Sequence, residues 1–566
     1  MKKLLGLAIA LTAVVTSVKL SLPRSTPEGS LSFSSVESSS TNRTYAPLKL
    51  PPFPSSGLNL FNSSAEVANY LETFHERKAF NWNPSYPIYI PAFDNQNKPY
   101  LRKHDRGQTT ALMNGFKKYE LGFWRDLPLD LSALHKSFPQ TSLEQLANFN
   151  KQDILWDPKM AVFDKDDVLY TVVRIRTENP SLKHYVLMYS KDHGISWQSK
   201  ILLSDANLPE WYDLERPYSP NPLFSSPAFL YYQKQGKAPG YETGFEYWQG
   251  TVGRLTLQTT SFNDKGELVV DAPVEISTTA QPIGYRSGSA VKVLRSGDKY
   301  FVTWLEATLD HKLEKNKTGR PVNTVPDKKG NPYSGIWVAE YDIKTRFLKK
   351  TEVLKTWPLN DSHNQPGIVR TSKGILHVIG GAHGAHFTHA FSLKPDSIDA
   401  WSAPQFTNTT NSGYSANFNI PGVPGGSQTY VSLVIDSKDQ LHLAYRLWAS
   451  DKSVFNAEYF GALAYQKADC DFSDQKNVSK TCRWNSPQIL VYPNAPEYTH
   501  YYQVMTIDRK ENLYLEYAQM RPYAPYFFKT PTGEMINTSP MLNSALLKSE
   551  DNGKSWFLVN DEDFEH

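Results

Sequence analysis

At 566 residues the chain is long enough to bury a large core or to form several domains. With 13 % aromatic residues, 21 % charged residues, 38 prolines and few long helical patterns, it leans towards an all-β architecture. A formal net charge of +3 excludes a generally basic nucleic-acid binder and leaves room for a local basic groove that takes an acidic ligand.

The chain opens on Met1-Lys2-Lys3 followed by an apolar run from Leu4 to about Val18, a pattern that predicts a signal peptide over residues 1–20 and a secreted or periplasmic protein. The run is too short to predict a mature membrane anchor, and no cysteine follows it to carry a lipid. Residues 21–70, rich in Ser, Thr and Pro near their start, read as a leader or linker. Residues 71–566 are taken as one β domain.

A recurring pattern organises that domain: an apolar pair, a polar turn, then a second apolar strand holding an aromatic or a histidine. It begins at Ala92-Phe93-Asp94, Val162-Phe163-Asp164, Val293-Leu294, Val369-Arg370, Val434-Ile435-Asp436 and Thr506-Ile507-Asp508. The longest gap has room for two periods, and a degenerate copy, Ala228-Phe229-Leu230-Tyr231, lies in its middle. Seven units with room for four short strands each predict a seven-bladed β-propeller. Ser190-Lys191-Asp192-His193-Gly194-Ile195-Ser196-Trp197 and Ser549-Glu550-Asp551-Asn552-Gly553-Lys554-Ser555-Trp556 share the form Ser-x-Asp-x-Gly-x-Ser-Trp. They resemble the Asp-box (BNR-like) turns of sialidase-like propellers. Glycine serves the turn backbone, Asp bonds turn amides, and Trp packs between strands.

The repeat phase sorts the polar residues. In a propeller blade, residues before the first strand and after the second share one face. In the fifth unit these are His363, with Asn364 beside it, and His383; in the sixth they are Tyr430, which opens the first strand, and Arg446, which closes the second. Arg286 precedes the inner strand of the fourth unit and is expected on the same face. His377 and His442 occupy the place of Tyr170 and Tyr514 in other units and read as packing residues. Arg446 matches Arg174 by repeat position, which leaves a structural role open. His386 and His389 have metal-ligand chemistry, but a solvated or packed loop is the plainer reading.

The segment Asp361-Ser362-His363-Asn364-Gln365-Pro366, with Leu376-His377-Val378 and Gly381-Ala382-His383-Gly384, resembles the BNR-type propeller lyases, and ulvan lyases in particular. That family pairs two histidines about twenty residues apart with a downstream Tyr and Arg about sixteen apart, a pattern matched by His363, His383, Tyr430 and Arg446. One departure is that the histidines fall in the fifth unit rather than an early one, which bears on the substrate more than on the chemistry. The resemblance covers mainly residues 355–450. It implies a polysaccharide lyase that cleaves a uronic-acid polymer by β-elimination. Such a reaction needs a cation to neutralise the carboxylate, a base for the C5 proton and an acid for the O4 leaving group. Arg446 suits the first role, with His383 sharing it; His363 suits the base and Tyr430 the acid, and these last two can exchange. Asn364 and Arg286 are lesser candidates for substrate contact. The scheme requires no metal cofactor, although a structural ion at an unlocated place is compatible with it.

Two other readings use the same fold. A sialidase-like glycoside hydrolase would need an arginine cluster, for which Arg102, Arg174, Arg286 and Arg446 are available by repeat position, but no Tyr/Glu nucleophile pair stands out. A non-catalytic carbohydrate-binding propeller needs neither. Under the leading reading the partner is an acidic polysaccharide, with no nucleic acid or membrane partner, and the chain is a monomer. Cys470 and Cys482, the only cysteines, are expected to form a disulfide in an exported protein.

Overall fold

The structure is a computed structural model. It describes residues 48–49 and 89–564, apart from segments 104–115, 121–122, 128–129, 142–153, 157–160, 177–181, 210, 239–249, 284–289, 308–334, 356–364, 382–386, 408–426, 450–459, 471–481, 493–496, 499, 521–526, 530–534, 538–540 and 560. All described residues belong to one compact unit, Thr44–His566. The apolar run from Leu4 to Val18 lies outside them, and no described helix is long and apolar enough to cross a membrane.

The fold is all-β. Among the described residues, seven sheets of four or more strands follow one another along the chain, their main strands antiparallel and mostly in sequence order; only the sixth also carries parallel pairings, at two short strands. The first sheet runs Tyr89–Phe93, Pro99–Lys103, Phe116–Glu120, Phe123–Leu127, and the seventh His500–Ile507, Leu513–Met520, Met541–Ser549, Phe557–Leu558. Six of the seven sequence repeats seed the first hairpin of their own sheet. The third is out of phase. Phe229 begins the second strand of its sheet, Phe229–Lys237, whose partner Trp211–Leu214 comes first. The repeat is shifted because a long connection, 215–228, separates the two. Leu48–Lys49, within the stretch read as a leader, pairs in parallel with the strand Gln488–Tyr492 of the sixth sheet.

Four hairpin turns share one device. Asp94, Asp164, Asp436 and Asp508 each accept, on one carboxylate oxygen, the amides two and four residues ahead. The residue three ahead takes a positive φ: Asn97, Asp167, Asp439 and Glu511, at 63–69°. The carboxylate replaces the amide partners that a tight turn leaves open, so the turn closes without glycine. In three copies the other oxygen faces the side chain six residues ahead: Tyr170 at 2.6 Å, His442 Nε2 at 3.4 Å and Tyr514 at 3.3 Å. His442 is therefore a buried packing residue that stands in for tyrosine, and its Nδ1 lies 2.7 Å from the Tyr465 hydroxyl.

The two Ser-x-Asp-x-Gly-x-Ser-Trp turns are superposable in their bonding. Asp192 and Asp551 each accept the amide and hydroxyl of the second Ser, and the first Ser accepts the Gly amide. Burial raises each carboxyl, but these bonds outweigh it and hold both Asp below the usual range. Gly553 is doubly required. Its φ is +81°, and a Cβ there would overlap the Tyr465 ring on which Trp556 packs.

Neighbouring sheets join in chain order. Asn95 reaches the carbonyls of Asp164 and Lys165, Phe163 and Lys165 bond to Leu223, Gln281 N donates to Leu305, and Ile368 N donates to Val291. Phe387 N donates to Gln428, and Met505 N to Ser432 Oγ. The last sheet meets the first where Arg509 N donates to Asn97 and Tyr514 packs on Phe93, with ring centroids 5.0 Å apart. The 215–228 connection runs among the inner strands. Arg216 donates to the Ala290 carbonyl, Tyr218 accepts from Ile435 N, and Pro220 accepts from Arg509.

Replacing Trp556 by alanine removes a fully buried ring from an Asp-box and is expected to cost about 3–5 kcal/mol in denaturant unfolding. Burial holds His377, His389 and His442 neutral, lowering all three. The unfolded chain takes up protons at about pH 6.5 that the folded chain refuses, so stability is full above that pH and falls as pH drops below it. Urea titrations from pH 7 to 5 should show this decline, and His442→Gln should flatten it by up to about 1.4 kcal/mol per pH unit.

Candidate functional site

Tyr430 and Arg446 are brought together, though not at strand ends. Their strands extend further than the apolar pattern shows, to Ser427–Ile435 and Leu441–Ala449, because the polar residues Ser427, Gln428 and Thr429 continue the pairing. Thr429 faces Arg446 and Ser432 faces Ala444, so Tyr430 and Val431 together oppose Tyr445. This is a β-bulge, which re-aims side chains at one point of a strand. Within it Tyr430 adopts φ +65°, a conformation costly for a bulky aromatic.

Three contacts hold the bulge. The Arg446 guanidinium lies over the Tyr430 ring, 4.5 Å from its centroid, a favourable cation–π arrangement. The Gln503 side-chain amide donates to the Tyr430 carbonyl. Gly367 of the fifth sheet packs on Val431, where an added Cβ would come within 3.1 Å of Val431 Cγ1. Gln503 itself sits in a second bulge: Tyr501 faces Ala518 and Val504 faces Glu516, so Tyr502 and Gln503 oppose Tyr517. The same place in two successive repeats is bulged, and the second copy supplies the side chain that braces the first. Tyr430 and Arg446 are 4 % and 3 % exposed.

A buried polar network underlies this corner. Gln428 accepts from Phe387 N and the Thr407 hydroxyl and donates to Gln466, which also accepts from Tyr445. Gln428 and Gln503 escaped the sequence reading, since a lone glutamine carries no motif. The signal available was the repeat itself, in which Tyr430-Val431 aligns with Tyr502-Gln503.

His363, Asn364, His383 and Arg286 lie outside the described residues, as does His386. Gln365, two residues beyond His363, donates to the Pro282 carbonyl at 2.6 Å. Arg174 occupies the position equivalent to Arg446, opposite Leu155. His377 and His389 are stacked in the fifth sheet, Nδ1 to Nε2 at 3.0 Å. Burial lowers His377 well below its ordinary value and pushes His389 down to about 3, so neither is a proton carrier near neutral pH. His389 is thus a packed strand residue that accepts from Gln405 and Trp484.

Cys470 and Cys482 are in register on adjacent strands and form a disulfide. Among the described residues, two groups bring potential metal-ligand atoms within 4.8 Å of one another. One is His377 with Cys470 and Cys482, whose sulfurs are bonded to each other here. The other is Asp94 with Asp167 and His193.

Comparison with known proteins finds no match among curated sequences. Among solved structures, an ulvan lyase described as a new polysaccharide lyase family, PL25, aligns at 14 % identity and TM-score 0.30, over 47 % of this chain and 53 % of that one. The polysaccharide lyase Uly1 aligns at 12 % identity and TM-score 0.28, over 50 % and 58 %. A Synechocystis apocarotenoid oxygenase variant aligns at 8 % identity and TM-score 0.34, over 72 % and 73 %. The chain spans just over half the length of the two lyases. Residues 327–557 match the model of a BNR repeat-containing family member, so this part of the chain carries the BNR-type repeat.

Proposed function

We propose that the protein is a secreted polysaccharide lyase that cleaves a uronic-acid-containing polymer, of the sulfated, ulvan-like kind, by β-elimination on a seven-bladed propeller. The observation that carries this reading is the bulge that sets the Tyr430 phenol and the Arg446 guanidinium side by side. A fixed guanidinium beside a phenol is the pair that elimination next to a carboxylate needs.

In this scheme Arg446 neutralises the uronate carboxylate, with a hydrogen bond from His383, so that charge developing at C5 spreads into it. Neutral His363 takes the C5 proton. The C5–H electrons form the C4–C5 double bond, the C4–O bond breaks, and Tyr430 protonates the departing oxygen. His363 and Tyr430 exchange roles if the leaving group and the proton are on the other relative faces. Asn364 and Arg286 contact neighbouring sugar oxygens. His363 is supported by its neighbours: Gly367, four residues on, packs against Val431 beside Tyr430. With Tyr430 and Arg446 nearly covered, a polymer reaches them only after local opening.

That burial favours a second reading, in which the pair only braces the bulge of a carbohydrate-binding protein. Incubation with ulvan and other polyuronates, followed by ultraviolet absorbance of the unsaturated uronate, decides between them. Turnover should fall by about 10²–10⁴-fold in Tyr430→Phe, which keeps the ring over which Arg446 lies. Arg446→Lys should lose about 10²–10³-fold. Unchanged turnover in Tyr430→Phe, or polymer binding without any unsaturated product, would sink the lyase assignment. New reducing ends without that absorbance would mean a hydrolase.

A further inference from the structure

The first of the four Asp turns departs from the other three. Asp94 is fully buried, and its Oδ1 accepts the amides of Gln96 and Lys98 as in the other copies. Its Oδ2 accepts no hydrogen bond. In the other turns that oxygen meets a side chain six residues ahead. Here it faces His193 Nδ1 at 3.7 Å, beyond hydrogen-bond reach. His193 Nε2 in turn lies 3.4 Å from Asp167 Oδ2. The three groups come from three turns: Asp94 from the first hairpin of the first sheet, Asp167 from that of the second sheet, and His193 from the Asp-box of the second sheet.

We propose that Asp94, Asp167 and His193 form a binding site for a divalent transition ion, with Zn²⁺ the best fit, that clasps the first sheet to the second. Two carboxylates and one imidazole make a ligand set for Zn²⁺ with a fourth position for water, whereas an all-oxygen cage would suit Ca²⁺. The positions are already set. Asp167 Oδ1 is held by the Asn95 amide at 2.9 Å, which leaves Oδ2 directed at the histidine. Tetrahedral Zn²⁺ draws ligand atoms to about 3.3 Å apart, so the cluster needs little contraction. The imidazole presents different nitrogens to the two carboxylates here, so binding requires the ring to turn until one nitrogen serves the ion. His193 is 31 % exposed and can do so.

The local charge favours a cation. Asp94, Asp167 and Asp508 lie in the field of a single guanidinium, Arg509. The Arg509 guanidinium donates to the carbonyls of Phe93, Asp94 and Pro220. Two negative charges thus remain when His193 is neutral, and a divalent ion cancels them. Burial without a partner pushes the Asp94 carboxyl up, the cost that an ion would remove. The site lies at the turn end of the inner strands. Tyr430 sits six residues before the equivalent Asp436, about 20 Å along its strand. The clasp is therefore independent of the lyase reading.

The test uses the full chain, dialysed against chelator and titrated with ZnCl₂ without reductant. Calorimetry should show binding near one ion per chain, and thermal unfolding should shift upwards with Zn²⁺. Both effects should vanish in His193→Ala, a partly exposed position, and in Asp94→Asn. Binding that persists in both variants places the ion elsewhere, for example at His377, and overturns the proposal. No binding in the parent protein overturns it too.

Discussion

A chain of successive sheets is held only if the last one finds the first. Here that closure rests on the turn Asp508-Arg509. The Arg509 backbone takes Asn97, its guanidinium takes the carbonyls of Phe93, Asp94 and Pro220, and Tyr514 behind it packs on Phe93. The guanidinium bonds go to backbone carbonyls, so they depend on the shape of the first hairpin and of the 215–228 connection, while the Asn97 amide oxygen and the Phe93 ring add side-chain contacts. Every other sheet is fixed between two neighbours, and this contact gives the two end sheets the same condition.

The Asp turns make that closure possible. Each uses one carboxylate oxygen to satisfy its own amides, which leaves the second oxygen to act between elements. Asp164 and Asp508 spend it on tyrosine, Asp436 on His442 and Asn552, and Asp94 points it across the gap to the next sheet. One local device thus yields core packing in some sheets and inter-sheet chemistry in another.

Further along the inner strands, away from these turns, the irregularities do the work. Regular pairing would alternate Tyr430 and Arg446 between faces. The bulge costs about 1–3 kcal/mol in backbone strain at Tyr430 and turns its ring under the guanidinium. Strain of this size persists only where neighbours over-determine it, and here they do: Gln503 from the next sheet, Gly367 from the previous one, and the glutamine network beneath. The repeat places a bulge in two adjacent sheets, but only one of them receives an arginine.

Much of this was legible in the residues. Asp-x-x-x-x turns, Ser-x-Asp-x-Gly-x-Ser-Trp boxes and alternating apolar pairs are local, since each satisfies its own backbone within a few residues, and so their count and order could be read directly. The packing role of His442 followed from the same local phase, and the pairing of Cys470 with Cys482 from their being the only two cysteines in a chain expected to be exported. The third unit was legible only as a degenerate copy and out of phase, because its hairpin is split by a long connection that shifts the period. Only the tertiary structure decided the bulge at Tyr430, its brace by Gln503 and the meeting of Asp94 with Asp167 and His193. Those contacts join residues tens of positions apart, and their geometry is set by how sheets pack, which no local pattern encodes.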